Sequence, residues 1–296
     1  MGSTLTWTPP TDARESFVIA VCRDSSGNKR GLVYLVRPDR SLKVGGERKY
    51  LEAMVDHGAG GGGGRRGLTS QTRLNAPPGT RFEAVPVSDP KGRDVIVVTG
   101  PSGAGKSHFL KSFASNYRKM WPSRGVYLIS SVERDATLDS LDPAPQRLKI
   151  DALAGDEKAQ ASVEPWLGAL TLIDDVEALN KKQSEAVLRI QDVIATKGRS
   201  HSSPDEDTVD DSASLIKSAH LATNYRDTRT LLLEAHGFVV YPEAGGHKGA
   251  AYLLSEYGGL DKGTVADILR TPTRWAYVHT GVPRYLLTEE FVTVLT

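Results

Sequence analysis

From residue 91 onward, short runs of apolar β-formers alternate with stretches whose apolar residues recur at helical spacing. Val95 to Val98 is apolar throughout, as a strand buried on both faces requires. Phe109, Leu110, Phe113, Tyr117 and Met120 then share one face of a helix that Pro122 stops. Gly125–Ser130 reads as a second strand, a segment with Arg147-Leu-Lys-Ile150 follows, and Ala169–Asp175 reads as a third. Asn180 is placed to cap a helix with Val187, Ile190 and Ile194 on one face and Gly198 as its stop. Ala213–Ala219 is a fourth strand, residues 225–235 a helix, and Gly237–Tyr241 a fifth strand. This alternation predicts an α/β fold, a mostly parallel sheet with helices on both faces. Two short helices, near 248–256 and 262–270, precede the β-like runs Arg274–His279 and Arg284–Leu287.

The first 90 residues follow another pattern. Ser16–Cys22 and Gly31–Val36 are β-rich runs around the turn cluster Asp24-Ser-Ser-Gly-Asn28, which predicts a hairpin. Residues 37–80 carry charges, Gly60 to Gly64, Arg65-Arg66 and Pro77-Pro-Gly79, and read as a flexible excursion. The pattern divides the chain into a hairpin-containing segment with a Gly-rich linker, 1–90, and a domain over 91–296. That domain carries a polar, acidic surface insertion near 199–213.

Composition changes this picture little. With 37 Lys+Arg against 36 Asp+Glu in 296 residues, nothing global demands nucleic acid, although a local basic groove is compatible with that balance. Cys22 is the single cysteine, so an internal disulfide is excluded, and it reads as a small core residue. No apolar run approaches the ~18 residues of a membrane span. Met1–Thr6 fits the N-myristoylation pattern only as loosely as many unrelated chains do.

The chemistry sits between the first apolar strand and its helix. Gly100-Pro-Ser-Gly-Ala-Gly-Lys-Ser107 fits G-x-x-x-x-G-K-[ST], the phosphate-binding P-loop. Gly100, Gly103 and Gly105 let the backbone wrap a triphosphate and aim successive N–H groups at its oxygens, with Pro101, Ser102 and Ala104 between them. Lys106 is expected to reach the β- and γ-phosphates, Ser107 to ligate Mg²⁺, and His108 to complete the binding stretch at the positive end of the helix. Such a site needs a carboxylate at the tip of a neighbouring strand. Asp174 supplies it as the second Mg²⁺-shell residue. Asp175 is the candidate to orient or deprotonate the attacking water, with Glu177 in reserve. His220, Thr223 and Asn224 are contenders for a donor toward the γ-phosphate, and each alone would serve equally well as a polar cap. Arg226, Arg229 and Arg274 are candidate arginine fingers, acting in cis or from a neighbouring subunit. No guanine-selecting Asn-Lys-x-Asp occurs, so the expected cofactors are ATP and Mg²⁺.

Taken together, Gly100–Ser107 and Leu170-Thr-Leu-Ile-Asp-Asp175 resemble the additional-strand P-loop ATPases, in which a sensor strand lies between the two Walker strands. Ser218–Arg229, Glu234–Pro242, Tyr257-Gly-Gly-Leu-Asp-Lys262 and Thr273-Arg-Trp275 look like the P-loop ATPases of large DNA viruses, the poxvirus-type genome-packaging ATPases among them. The likeness spans about residues 91–288 and leaves the first 90 uncovered. It implies Mg²⁺-dependent ATP hydrolysis coupled to translocation or packaging of double-stranded DNA. It further implies a homo-oligomeric ring, a finger at Arg229, a sensor at Asn224, and a place in the virion or infected-cell cytoplasm. Many translocating relatives carry Glu where this chain has Asp175. A small-molecule or nucleoside kinase, and a catalytically quiet nucleotide-binding virion protein, share the P-loop and remain alternatives on the residues alone.

Overall fold

The computed structural model describes residues 4–7, 16–36, 73–89, 91–199, 212–220, 225–281 and 283–295. Its N-terminal strands are β1 (Thr4–Thr6), β2 (Ser16–Asp24), β3 (Lys29–Val36), β4 (Arg73–Asn75) and β5 (Thr80–Ala84). There follow β6 (Val95–Thr99), α1 (Lys106–Met120), β7 (Gly125–Ser130), β8 (Gln146–Arg147), α2 (Ile150–Gly155), α3 (Glu157–Ala161) and β9 (Ala169–Asp174). Next come α4 (Lys181–Lys197), β10 (Ala213–Ala219), α5 (Tyr225–Glu234), β11 (Gly237–Val240), α6 (His247–Glu256) and α7 (Lys262–Arg270). The last strands are β12 (Ala276–His279), β13 (Tyr285–Thr288) and β14 (Phe291–Val294).

One sheet of ten strands runs β4-β14-β13-β12-β11-β6-β10-β9-β7-β8. From β11 to β8 the neighbours are parallel; β12, β13, β14 and β4 extend the sheet antiparallel. The sheet is therefore mixed, and the expectation of a mostly parallel one fits only its α/β half. The connections explain the difference. Parallel neighbours need a long crossover, whereas only Glu289 and Glu290 separate β13 from β14, a span that permits only a hairpin.

Two cores lie on the two faces. On one, Phe109, Leu110, Phe113 and Tyr117 of α1 pack with Ile96, Val98, Leu170 and Leu172. A small sheet, β1-β3-β2-β5, covers the rest of that face and contributes Ala20, Cys22, Val33 and Phe82. Each large side chain buried in this way contributes roughly 1.5–3 kcal/mol relative to exposure. Cys22 is fully buried, in keeping with its reading as a core residue. On the other face, residues of α2 to α7 pack on Val95, Val97, Ile173 and Leu215. The cap at Asn180 forms a full capping box with Gln183, and Gly198 ends α4.

The excursion expected over 37–80 lies outside the described residues up to 72. Its last part is strand and turn instead. Arg73–Asn75 pairs with β14 and buries Leu74, because the open edge of β14 offers unpaired backbone groups and an apolar face. The Ala76 N–H donates to the Glu290 carbonyl at 2.7 Å and the Phe82 N–H to that of Glu289 at 2.8 Å, fastening the small sheet to the β13–β14 turn. Residues 200–211 of the expected acidic insertion, and the glycine run at 60–64, lie outside the described residues. Among the described residues no helix is long and apolar enough to cross a membrane.

Candidate functional site

β6 ends at the C-terminal edge of the sheet and hands the chain to the loop Gly100–Gly105, from which α1 starts at Lys106. A Cβ on Gly100 would come 2.7 Å from Cδ2 of Tyr241, and Gly105, the residue preceding α1, has φ 103°, in the left-handed region. β10 lies between β6 and β9, with Ser218 level with Val98 and Lys217 level with Ile173. This is the additional-strand arrangement. It brings the tip of β9 beside the P-loop helix, and Ser107 Oγ donates to Asp174 Oδ2 at 3.3 Å.

Asp174 is 2% exposed. Burial pushes its carboxyl above the usual carboxylate range, and the neighbouring Asp175 charge adds to that; hydrogen bonds donated by Ser218 and Ser107 oppose it. Ser218 Oγ donates to Asp174 Oδ1 in a short hydrogen bond. Lys106 is nearly buried, and its Nζ donates to the carbonyls of Gly100 (3.0 Å) and Pro101 (3.1 Å). His220 Nδ1 lies 3.2 Å from the same Nζ. Burial lowers the Lys106 ammonium below its ordinary value, against the opposing charges of Asp174, Asp175 and Glu177.

Asp175 is the single non-glycine residue with positive φ among the described residues, at 49°. Such a conformation is uncommon and concentrates at functional sites. Ser131 holds it: its N–H donates to the Asp175 carbonyl at 3.3 Å, and its hydroxyl donates to the same oxygen. The Asp175 carboxylate stands 3.6 Å from His220 Nε2, and the His220 N–H donates to Glu177 Oε1 at 3.3 Å. Asp175, Glu177 and His220 thus converge, with ligand-type atoms all within 4.8 Å of one another.

The structure brings together Lys106, Ser107, Asp174, Asp175, Glu177 and His220 around the P-loop. His108 is exposed on the first turn of α1. Arg229 is exposed on α5. Thr223 and Asn224 lie outside the described residues. Arg274 comes close to the loop, since a Cβ on Gly105 would sit 3.5 Å from its Nε and Nη2. Ser218 escaped the sequence reading, although a serine in a fully buried central strand was itself a signal. So did Lys217 of the same strand, whose Nζ donates to Gln191 Oε1 at 2.6 Å inside the core.

No family model matches the sequence. A protein of the Sputnik virophage described as "Uncharacterized protein V3" is 28% identical over 250 residues, covering 83% of this chain and 89% of that one. Among solved structures, the chain is similar to the genome packaging NTPase B204 of Sulfolobus turreted icosahedral virus 2, in complex with ATP-gammaS. Identity there is 11% and the TM-score 0.38, over 68% of this chain and 99% of that one. It is also similar to the pCW3 conjugation coupling protein TcpA in its monomer form with ATPgS, at 12% identity and a TM-score of 0.43, over 94% of this chain and 77% of that one.

Proposed function

We propose that this chain binds ATP with Mg²⁺ on the P-loop Gly100–His108 and hydrolyses it, coupling hydrolysis to movement of double-stranded DNA such as viral genome packaging. One observation carries the reading: across the additional strand, the P-loop hydroxyl of Ser107 meets the buried carboxylate of Asp174 at 3.3 Å. Two oxygen ligands of this kind suit Mg²⁺, a hard cation that shares its shell with phosphate oxygens and water. Ser107 and Asp174 would hold such an ion, which would supply positive charge against the phosphates. Lys106 leaves its loop carbonyls to meet the phosphates, a short swing of one flexible side chain. The three groups beyond it have distinct tasks. Asp175 accepts the proton of the attacking water or orients it, Glu177 stands behind, and His220 ties both carboxylates to the lysine. The coupling to DNA rests on the resemblance in Ser218–Arg229 and the tail. A ring in the virion or infected cell, with Arg229 reaching the neighbouring site, belongs to the same reading.

The test is phosphate release from ATP with Mg²⁺, with and without double-stranded DNA, alongside a nucleoside panel. Hydrolysis that DNA stimulates is the expected result. Phosphate transfer to a nucleoside overturns the reading in favour of a kinase, and absence of turnover leaves a nucleotide-binding protein.

A further inference from the structure

The triphosphate reading gives the P-loop a direction, and two cavities flank it. One, of about 270 Å³, is lined by Gly100, Ser102, His220, Tyr241, Gly245-Gly246 and the start of α6 at Gly249 and Ala250. It opens on the side of His220, and so of Asp175, where the γ-phosphate and the attacking water belong. The other, of about 340 Å³, begins at Gly105 and His108 and runs along α1 past Ser112. Its far wall is the small N-terminal sheet, at Arg81 and Phe82 of β5, and Arg274–Trp275 close one side. The nucleoside leaves the loop from the α-phosphate, the end opposite the γ-phosphate, and Gly105 and His108 stand at that end of the loop.

We infer that this second cavity holds the nucleoside of the bound nucleotide, and that the N-terminal sheet, outside the resemblance to packaging ATPases, forms its wall. Three observations support this. The volume falls in the range of small-ligand sites, ~300–1,000 Å³. Aromatic and cationic groups meet there as a planar base requires: Trp275, packed edge-on against Phe109 with centroids 5.3 Å apart, and Arg274 beside Gly105. Ser112 lines this space from α1 together with the polar groups of Arg81, Lys111 and Ser115, in keeping with a ligand that carries hydroxyls. The small sheet thereby acquires a role: nucleotide bound on one domain face bridges α1 to β5.

The inference rests on the ATPase reading, and the experiment separates the two. The full chain is photolabelled with 8-azido-ATP and Mg²⁺ and the labelled peptides are mapped. In parallel, ATP and inorganic tripolyphosphate are titrated against wild type and Ser112→Met, which fills the cavity from α1. ATP-protected label on residues 81–84, 108–115 or 274–275 is expected. Ser112→Met should weaken ATP about tenfold and leave tripolyphosphate within about twofold. Protected label confined to 241–250, or equal effects of the variant on both ligands, overturns the pocket while sparing the phosphate site. Absence of both protected label and tripolyphosphate binding overturns the ATPase reading and the pocket with it.

Discussion

Ser218→Ala removes one hydroxyl and keeps the volume of the strand, so it isolates the donor that holds Asp174. Asp174 is almost wholly buried and has two side-chain donors, Ser218 on Oδ1 and Ser107 on Oδ2 at 3.3 Å. Hydrogen bonds to a charged acceptor contribute about 1.5–3 kcal/mol each, which corresponds to roughly a 10- to 100-fold change in an equilibrium constant. On the proposed reading the Ser107 hydroxyl would turn to the metal when nucleotide binds, which would leave Ser218 as the remaining donor. Without it the Asp174 carboxyl, already raised by burial, moves further up, because the Ser218 hydrogen bond is what opposes that rise most. The assay is ATP hydrolysis against Mg²⁺ concentration, with thermal melting to establish that the variant is folded. Half-saturation should need about tenfold more Mg²⁺, and the requirement should grow as pH falls, because a carboxyl raised by burial takes up its proton before an ordinary one does. A folded variant whose Mg²⁺ dependence matches wild type would refute the role of Ser218 and the orientation of Asp174 with it.

The acidic pair should separate by step: Asp174→Asn weakens Mg²⁺–nucleotide binding, whereas Asp175→Asn keeps binding and stops turnover. If Glu177→Gln stops turnover and Asp175→Asn does not, the base is Glu177. Asp94 is a further titrating site, since burial raises its carboxyl from 3.8 to about 7 against a hydrogen bond from the Val87 N–H. The native state binds this proton more tightly than the unfolded one, so stability present below the unfolded value is lost as pH rises through about 7. Three units correspond to ~4 kcal/mol. Asp94→Asn should therefore resist urea better than wild type in alkaline buffer and no better in acid; equal curves at both would refute this. Mixing Arg229→Ala with Lys106→Ala should partly restore hydrolysis if Arg229 serves the neighbouring site, and an inactive mixture would remove it from that role.

The parts legible in the sequence were those fixed by local chemistry. A strand buried on both faces must be apolar, a P-loop must be glycine-rich, and a helix start wants Asn; β6, Gly100–Ser107 and Asn180 announced themselves in this way. Asp174 was legible because an acidic residue ending an apolar run, downstream of a P-loop, fits the metal-shell position such a site needs. What escaped depended on contacts between distant stretches. β4 is three residues, too short for any periodicity, and exists because β14 leaves an edge for it. β14 itself was unforeseen, since Phe291–Val294 is only four residues long and buried throughout, with no alternation to mark it. Ser218 of β10 acquires its meaning only from a register that sets it beside Asp174, and the left-handed backbone of Asp175 from Ser131, just past the end of β7. The small sheet was expected as a hairpin, but nothing local said that it packs on α1.

If Lys106, Ser107 and Asp174 form a hydrolytic phosphate site, Lys106→Ala should disable it. Lys106 Nζ contacts two loop carbonyls and His220, so the fold should survive its loss, as circular dichroism and melting would report. Phosphate release from Mg²⁺–ATP by Lys106→Ala should fall by about two to three orders of magnitude, as removal of a main electrostatic element does. A folded Lys106→Ala protein hydrolysing ATP at near the wild-type rate would contradict the account.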